Sequence, residues 1–460
     1  MTYVDNAEYP LESTADGSAG RSEAVAFDSS TPAVVFGCFR QSGIGIVRSL
    51  GRLGVPVYAV DPDGLEAAFF SKYCRGKFKW DVNGAAPGQS LRFLRGLGEK
   101  IGRRSLLIPT SDVGAMFMAA EAERLSGLFL FPQQNEPLLR ALCSKRGMYE
   151  IAKKWDIPTP ETAFPASREE VQQYACIARY PVLVKPLFNK RPASGAKAWR
   201  MFLARDEREL LEGYEAVQDP GDPNVILQEY IPGPDSATWT FNGYFDRNSN
   251  CLAAFTGRKL RNFPAYFGRA SLAVCEHNEQ VLNAAVHFMK CIGYKGPLDI
   301  GFRFDARDGR YKVNDVNPRV GSMFRVFVGE NGMDIVRAMY CDLTGQRATA
   351  AAPKPGRKWI TEDVDWLSAC RYWWDGNLTV RQWYRSVSGV SETTFFARDD
   401  LMPFAGVFIQ NAWRGLNAAF ARIKGSVRGT RITVSSPDRQ QRAECAQRDP
   451  ITDSAGIRRS

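Results

Sequence analysis

Short apolar runs bounded by glycine, proline or a charge recur along the first three quarters of the chain, and each predicts a buried strand. Ala33-Val-Val-Phe36 runs into glycines 37, 43 and 45 and a helical stretch to Leu53; Val57 to Val60 then closes at Asp61. This order of strand, glycine turn, helix and strand is of Rossmann type. The glycines do not fall at the G-x-G-x-x-G spacing, so the unit reads as a scaffold for a substrate cleft rather than a dinucleotide site. Ser105 to Pro109 is a further strand with Thr110, Ser111 and Asp112 at its C-terminal end. Those three side chains read either as ligand-facing groups or as the cap of a helix starting near Val113.

Helical spacing covers Asn135 to Trp155, and Ile157-Pro-Thr-Pro-Glu161 ends it. Tyr180-Pro-Val-Leu-Val-Lys185 is a hydrophobic strand closed by one cation, which requires an anionic partner or an exit to solvent. Val225 to Glu229 is a strand entering a Pro/Gly turn that ends at Asp235, and Ala237 to Phe245 and Cys251 to Thr256 form the next pair. If the second of these continues through Gly257-Arg-Lys-Leu-Arg261, alternation puts Lys259 and Arg261 on one face and Arg258 on the other. His277 to Ile292 predicts a helix whose Ala285, Val286 and Met289 face the core.

The strands Pro297 to Phe304 and Tyr311 to Asn317, joined by Asp305-Ala-Arg-Asp-Gly309, predict a hairpin that brings Asp299 near Asp315. Asp315, Asn317 and Arg319 follow at a spacing of two, on one face of an extended backbone. Carboxylate and amide oxygens suit Mg2+, with Mn2+ as its substitute, and a guanidinium beside them can neutralise phosphoryl charge. The structural alternative for Asp-Val-Asn-Pro-Arg is a strand end with a solvated arginine.

Length and composition set limits around this pattern. The chain has 460 residues, enough for two or three domains, with 44% hydrophobic and 24% charged residues and a net charge of +10. Residues 351–460 hold 17 Lys and Arg against 11 Asp and Glu, a surplus that favours anionic ligands or surfaces. Basic stripes with aromatic platforms are missing from the first 350 residues, so nucleic acid is not an expected partner. Ten cysteines without a CxxC pair fit buried thiols in a reducing compartment, and two isolated histidines, His277 and His287, offer neither a triad nor a histidine metal centre. The acidic, polar start of the chain does not resemble a signal peptide, and the expected location is cytoplasmic.

Several of these segments together resemble the ATP-grasp superfamily of carboxylate–amine and amino-acid ligases over roughly residues 32–345. Asp315-Val-Asn-Pro-Arg319 is similar to its D/E-x-N-P-R signature, in which carboxylate and amide hold Mg2+ and the arginine meets the transferred phosphate. Ser144-Lys145, Tyr149-Glu150, Ala152 and Asp156-Ile-Pro-Thr-Pro160 resemble the family's first lysine helix and the break after it. Pro181-Val-Leu-Val-Lys185-Pro186 resembles the strand bearing its second lysine. The resemblance implies that Lys145 and Lys185 contact the α- and β-phosphates of ATP, and that Ser194 and Gly195 lie in the loop over them, where this chain has fewer glycines than usual. It further implies an adenine-reading backbone at Glu229, Tyr230 and Ile231, a ribose contact at Asp235, and Lys259, Arg261, Arg319 and Arg325 on the side of the γ-phosphate and acceptor. The family's usual metal acid falls on Gly301, so Asp299 becomes the third metal candidate beside Asp315 and Asn317.

The expected fold is therefore α/β: a Rossmann-like domain at 32–142, then a two-lobed ATP-grasp fold with a small lobe at 143–222 and a large lobe at 223–345. A disordered start (1–31), a linker (346–358), an aromatic-rich helical extension (359–425) and a disordered tail (426–460) complete the division. The extension holds Trp359, Trp366, Trp373, Trp374, Trp383 and Trp413, with helices ending at Trp374 and spanning Leu401 to Ile423. Such basic aromatic helices either pack on the body or a second subunit, the commoner outcome, or lie on an anionic membrane surface. The expected activity is an ATP- and Mg2+-dependent ligase that joins a small carboxylate to an amine through an acyl phosphate. An ATP-grasp phosphotransferase, and a catalytically retired ATP-binding scaffold of a membrane-associated complex, remain alternatives; Gly301 favours the scaffold. A homodimer and a peripheral membrane contact through 359–424 are the larger partners considered.

Overall fold

The computed structural model describes residues 27–38, 40–186, 201–218, 224–266, 268–348 and 352–411. The first domain contains β1 (Ala33–Phe36), α1 (Arg40–Gly51), β2 (Val57–Val60), β3 (Cys74–Phe78), α2 (Pro87–Ile101), β4 (Ser105–Pro109), α3 (Asp112–Ala120), α4 (Ala122–Leu125) and β5 (Phe129–Leu130). Its strands form a parallel sheet in the order β3-β2-β1-β4-β5. Their apolar runs are buried on both faces, as a helix-covered parallel sheet requires. Ser111 caps α3 by accepting from the Gly114 amide, which decides its role in favour of the cap.

Sequence spacing predicts one helix over Asn135 to Trp155, but the structure has two, α5 (Glu136–Cys143) and α6 (Lys145–Lys154). Ser144 lies between them in an extended conformation and caps α6 through the Gly147 amide. A Cβ on Gly147 would lie 2.6 Å from the Ala141 carbonyl oxygen, so the tight corner depends on glycine. The break places Lys145 at the start of a helix instead of in the middle of one.

The small lobe follows with β6 (Thr162–Ala163), α7 (Arg168–Ile177), β7 (Val182–Pro186), β8 (Phe202–Ala204), α8 (Glu207–Val217) and β9 (Val225–Glu229), its sheet ordered β6-β9-β7-β8. The large lobe is built from β10 (Thr238–Phe245), β11 (Cys251–Phe263), β12 (Arg269–Cys275), α9 (Glu279–Cys291), β13 (Gly296–Asp305), β14 (Arg310–Asn317) and α10 (Ile335–Leu343). Phe288 and Met289 of α9 meet Leu298, Ile300 and Phe302 of β13 in a fully buried cluster. Each such side chain contributes about 1.5–3 kcal/mol.

The segment after 346 differs from a linker followed by helices. β15 (Lys358–Ile360) pairs antiparallel with β12, and beyond α11 (Glu362–Trp374) and α12 (Val380–Val387) the strand β16 (Val390–Thr393) pairs parallel with β15. The large-lobe sheet thus has seven strands, β14-β13-β10-β11-β12-β15-β16. Strands of three and four residues give too few positions for alternation to reveal them. Residues 394–400 then dock on the first domain: Arg48 pairs with Asp400 at 2.9 Å and donates to the Thr394 and Phe395 carbonyls. Phe27 packs on Tyr340 of α10 with ring centroids 5.3 Å apart, so 27–31 is ordered where disorder was expected. The rest of the N-terminal segment, the tail at 426–460 and Trp413 lie outside the described residues. Of the helix expected over Leu401 to Ile423, positions 402–411 are helical and 412–423 lie outside the description. A second compact unit begins at Phe408.

Candidate active site

The hairpin is present, with one feature that alternation does not reveal. Gly301 of β13 opposes Asp315 and Phe302 opposes Val313, so Asn314 is an extra residue in β14 and the register shifts there. The bulge lets both Val313 and Val316 join the buried cluster under α9, while Asp315 stays exposed. Without it, Val313 and Asp315 would share one face and the acid would enter the core. Asp299 opposes Asn317 across the ladder, which brings the acid–acid–amide set together as predicted. Asn317 donates to Asp315 at 2.8 Å, and Arg319 lies 3.3 Å from the Asn317 side-chain oxygen and 2.8 Å from Asp112 of the first domain.

These groups fit a divalent cation. Asp299 Oδ1 is buried without a hydrogen-bond partner, and burial together with the Asp315 charge pushes its carboxyl up to about 6, against the pull of Lys259 and Arg319. A hard cation would relieve both penalties through the oxygens of Asp299, Asp315 and Asn317. Among the described residues no cluster of three or more His, Cys, Asp and Glu has metal-site geometry. A Cβ on Gly301 would fall 2.1 Å from Asp315 Oδ1, so a side chain at the position of the usual acid would displace Asp315 from its present place.

Both lysines belong to the same electrostatic field. Lys185 lies at the end of β7 and donates to Gln228 at 2.6 Å; burial, then repulsion from Lys145, lowers its ammonium to about 8, while Asp315 pulls it back. Lys145 is lowered by desolvation and likewise supported by Asp315. The two ammonium groups and Asp315 thus act on one another, and Asp315 in turn acts on Asp299. The Ile-Pro-Thr-Pro segment fixes the spacing, since the Val313 amide donates to the Pro158 carbonyl at 2.7 Å and Thr159 donates to the Val313 carbonyl at 3.1 Å.

Other predicted residues go elsewhere. Arg261 is buried and held by Asp365 at 2.7 Å and Ser386 at 2.6 Å, because register shifts on either side of it take it off the face of Lys259. Arg325 is buried against Asp334 and Glu392. Neither guanidinium is available to a phosphate, a correction to the expected γ-phosphate and acceptor roles of both. Arg258, expected to face away, pairs with Glu276 at 2.6 Å. The Glu229 side chain joins a buried network with Arg307, Lys312 and Asp305. The Tyr230 amide donates to Pro181 and the Ile231 carbonyl accepts from Arg303, so the expected adenine edge reduces to the Tyr230 carbonyl and the Ile231 amide. Asp235 opens a short 3-10 turn, Asp235–Ala237, but its side chain lies outside the description, as do Ser194 and Gly195.

Sequence reasoning missed Thr240 and Asn242. Each has a buried side-chain oxygen without a partner, and they oppose Gly301 and Asp299 across the β10–β13 ladder. The signal was available in Trp239-Thr-Phe-Asn242, where two polar residues alternate with aromatics and line the face of Asp299.

No family model matches the chain. It is 29% identical to a D-aspartate ligase of Enterococcus faecium over 51% of this chain and 58% of that protein. It is 26% identical to the N-terminal section of the carbamoyl phosphate synthase large chain of Methanopyrus kandleri, over 40% of this chain and 33% of the relative. The chain therefore spans less than two thirds of either relative. Among solved structures, N5-carboxyaminoimidazole synthetase from Staphylococcus aureus superposes with a TM-score of 0.56 at 13% identity, covering 74% of this chain and 86% of that one. The biotin carboxylase domain of Hydrogenobacter thermophilus 2-oxoglutarate carboxylase gives 0.51 at 19% identity, covering 71% and 73%. With a parallel domain followed by two lobes, the chain shares the fold of these two structures, and its sequence is similar to that of the ligase and the synthase.

Proposed function

We propose that the protein is an ATP-dependent ligase that activates a small carboxylate, an amino acid or a similar compound, as its acyl phosphate and transfers the acyl group to an amine. The observation that carries this reading is the electrostatics of the cleft: Asp299 Oδ1 is buried without a hydrogen-bond partner, its carboxyl is raised by burial and by Asp315, and burial lowers the ammonium groups of Lys145 and Lys185. Such a site is relieved by a ligand that brings phosphates and a divalent cation together. The relatives of the chain are named as ligases and synthases, which agrees.

Lys145 and Lys185 would bind the α- and β-phosphates, and the Tyr230 carbonyl and Ile231 amide would read the adenine edge, with Ser194 and Gly195 over the phosphates and Asp235 at the ribose. Asp299, Asp315 and Asn317 would hold Mg2+ or Mn2+, which supplies Lewis-acid stabilisation of the phosphoryl group. Arg319 and Lys259 remain for the charge that develops as the carboxylate attacks the γ-phosphate and ADP leaves. The amine then displaces phosphate from the acyl group, and none of these steps needs a protein nucleophile. The division 32–142, 143–222 and 223–345 assigns these tasks to a substrate-shaping domain and two lobes. We also propose that the protein works as a homodimer and that its contact with a membrane is peripheral, at the inner face.

Purified protein incubated with ATP, Mg2+ and pools of carboxylates and amines, with ADP, phosphate and product mass recorded, tests the reading. ADP release that depends on both an acid and an amine supports the ligase. Nucleotide binding without turnover across broad pools would instead support a retired scaffold, the alternative that Gly301 favours.

A further inference from the structure

Packing was the commoner expectation for the tryptophans of the extension, and the structure divides them. Trp359 is buried in the sheet at 2% exposure, but Trp366, Trp373 and Trp374 of α11 are 56%, 58% and 78% exposed. The other face of α11, with Val364, Ala369 and Tyr372, is the buried one. α12 buries no residue at all, yet Val380, Trp383, Tyr384 and Val387 follow the i, i+3, i+4, i+7 spacing of an apolar stripe. Val380 and Tyr384 are 69% and 67% exposed. Arg261 bonds Asp365 of α11 and Ser386 of α12 at once, so the two helices lie side by side at one edge of the body.

An aromatic face of this size calls for a partner, and the charges around it choose one. Every exposed charged residue of the two helices is an arginine: Arg371, Arg381 and Arg385. Of the acids beside them, Glu362 receives the amides of residues 394–396 and Asp365 holds Arg261, while Asp375 pairs with Arg371 and leaves Arg381 and Arg385 as the cations free to meet an anionic surface. Residues 351–460 as a whole carry 17 Lys and Arg against 11 Asp and Glu. Tryptophan and tyrosine rings rest at headgroup level, with apolar body and polar edge both accommodated, and arginine flanks meet lipid phosphates. We infer that the paired outer faces of α11 and α12 form a docking surface for an anionic lipid bilayer, on which the body lies without any spanning segment. Among the described residues no helix is long and apolar enough to cross a membrane. The inference rests on the peripheral location proposed above and is independent of the catalytic reading.

The test is sedimentation of the full chain with vesicles of phosphatidylcholine containing phosphatidylglycerol, against phosphatidylcholine alone. Ionic strength is set at about 0.01 M and about 1 M, where the Debye length falls from about 30 to about 3 Å. The protein should pellet with the anionic vesicles and be released by salt. Arg381→Gln with Arg385→Gln should weaken binding about 30-fold at low salt. Trp374→Ser with Tyr384→Ser should abolish it while ATP affinity stays unchanged. If the parent protein remains in the supernatant, peripheral attachment itself fails. If the parent binds and the Trp374/Tyr384 variant binds equally, attachment stands and this surface is the wrong one. If the parent ignores vesicles but sediments as a dimer that the same variant splits, the occupant is a second copy and the lipid proposal is overturned.

Discussion

Two sets of buried charge in this molecule are built on opposite principles. Four arginines that anchor the C-terminal segment each have an acid: Arg325 meets Asp334 and Glu392, Arg357 meets Glu392, Arg261 meets Asp365, and Arg48 meets Asp400. In the Arg325 pairs burial works against both charges, yet the partners hold the guanidinium above and the Glu392 carboxyl below their usual values. In the cleft the opposite holds, with Lys145 and Lys185 lowered and Asp299 raised, burial being the first cause each time. Paired charges fasten β15, β16 and residues 394–400 to the body; the charges of the cleft are ones that burial disfavours and that a bound ligand would relieve. The difference separates arginines and lysines that look alike in the sequence into structural and functional groups.

The largest expected effect comes from breaking a matched set. Arg325→Ala leaves the carboxylates of Asp334 and Glu392 buried with less to balance them, and loss of one partner of a buried pair costs about 3–5 kcal/mol. Equilibrium denaturation should show that loss while the folded fraction binds nucleotide as before. A variant with unchanged stability and lost nucleotide affinity would return Arg325 to the phosphate side. In the cleft, Asp315→Asn keeps the shape and removes one charge from the metal face. Its kcat should fall about 100-fold, with ATP affinity within a few-fold of the parent, because the charge matters most as the phosphoryl group is transferred. Equal losses in Kd and kcat would show that Asp315 acts mainly in ground-state binding.

Most of the cleft residues were legible in the chain and many of the anchoring ion pairs were not. Lys185 closes an apolar strand, and Asp315, Asn317 and Arg319 follow at a spacing of two, so local pattern exposes them. Asp365, the acid of Arg261, lies 104 residues away and Glu392, one of the two acids of Arg325, lies 67 residues away, beyond any local pattern, and both arginines were placed in the site for that reason. Spacing likewise cannot show a one-residue bulge such as that at Asn314, whose presence depends on the partner strand. Thr240 and Asn242 did carry a local signal, in an alternation that was read only as a strand. Strands such as β1 and β10 were legible as apolar or alternating runs, whereas β15, three residues long, and β16, with the single apolar residue Val390, carry no such run.

Lys185 allows the comparison to be sharpened without breaking the fold. Lys185→Met removes a cation that burial already disfavours, so stability should hold or rise while ATP binds about 30-fold more weakly near neutral pH, the loss of one charge-assisted contact.

The smallest effect is the pH dependence of the same group. With its ammonium lowered to about 8 in the free protein and near 10.4 in an unfolded chain, the unfolded state holds more protons between those values. Stability contributed by this residue therefore rises with pH across that window. Nucleotide affinity moves the other way. Bound phosphates favour the charged form, so above about pH 8 the free protein must first take up a proton, and Kd for ATP should rise about tenfold between about pH 7 and about pH 9. In Lys185→Met that portion of the rise should vanish, leaving whatever Lys145 and the metal face contribute. Calorimetric titration of both proteins across the range decides the matter. Parallel profiles would mean that Lys185 stays charged throughout, matched by a partner like the arginines of the C-terminal segment.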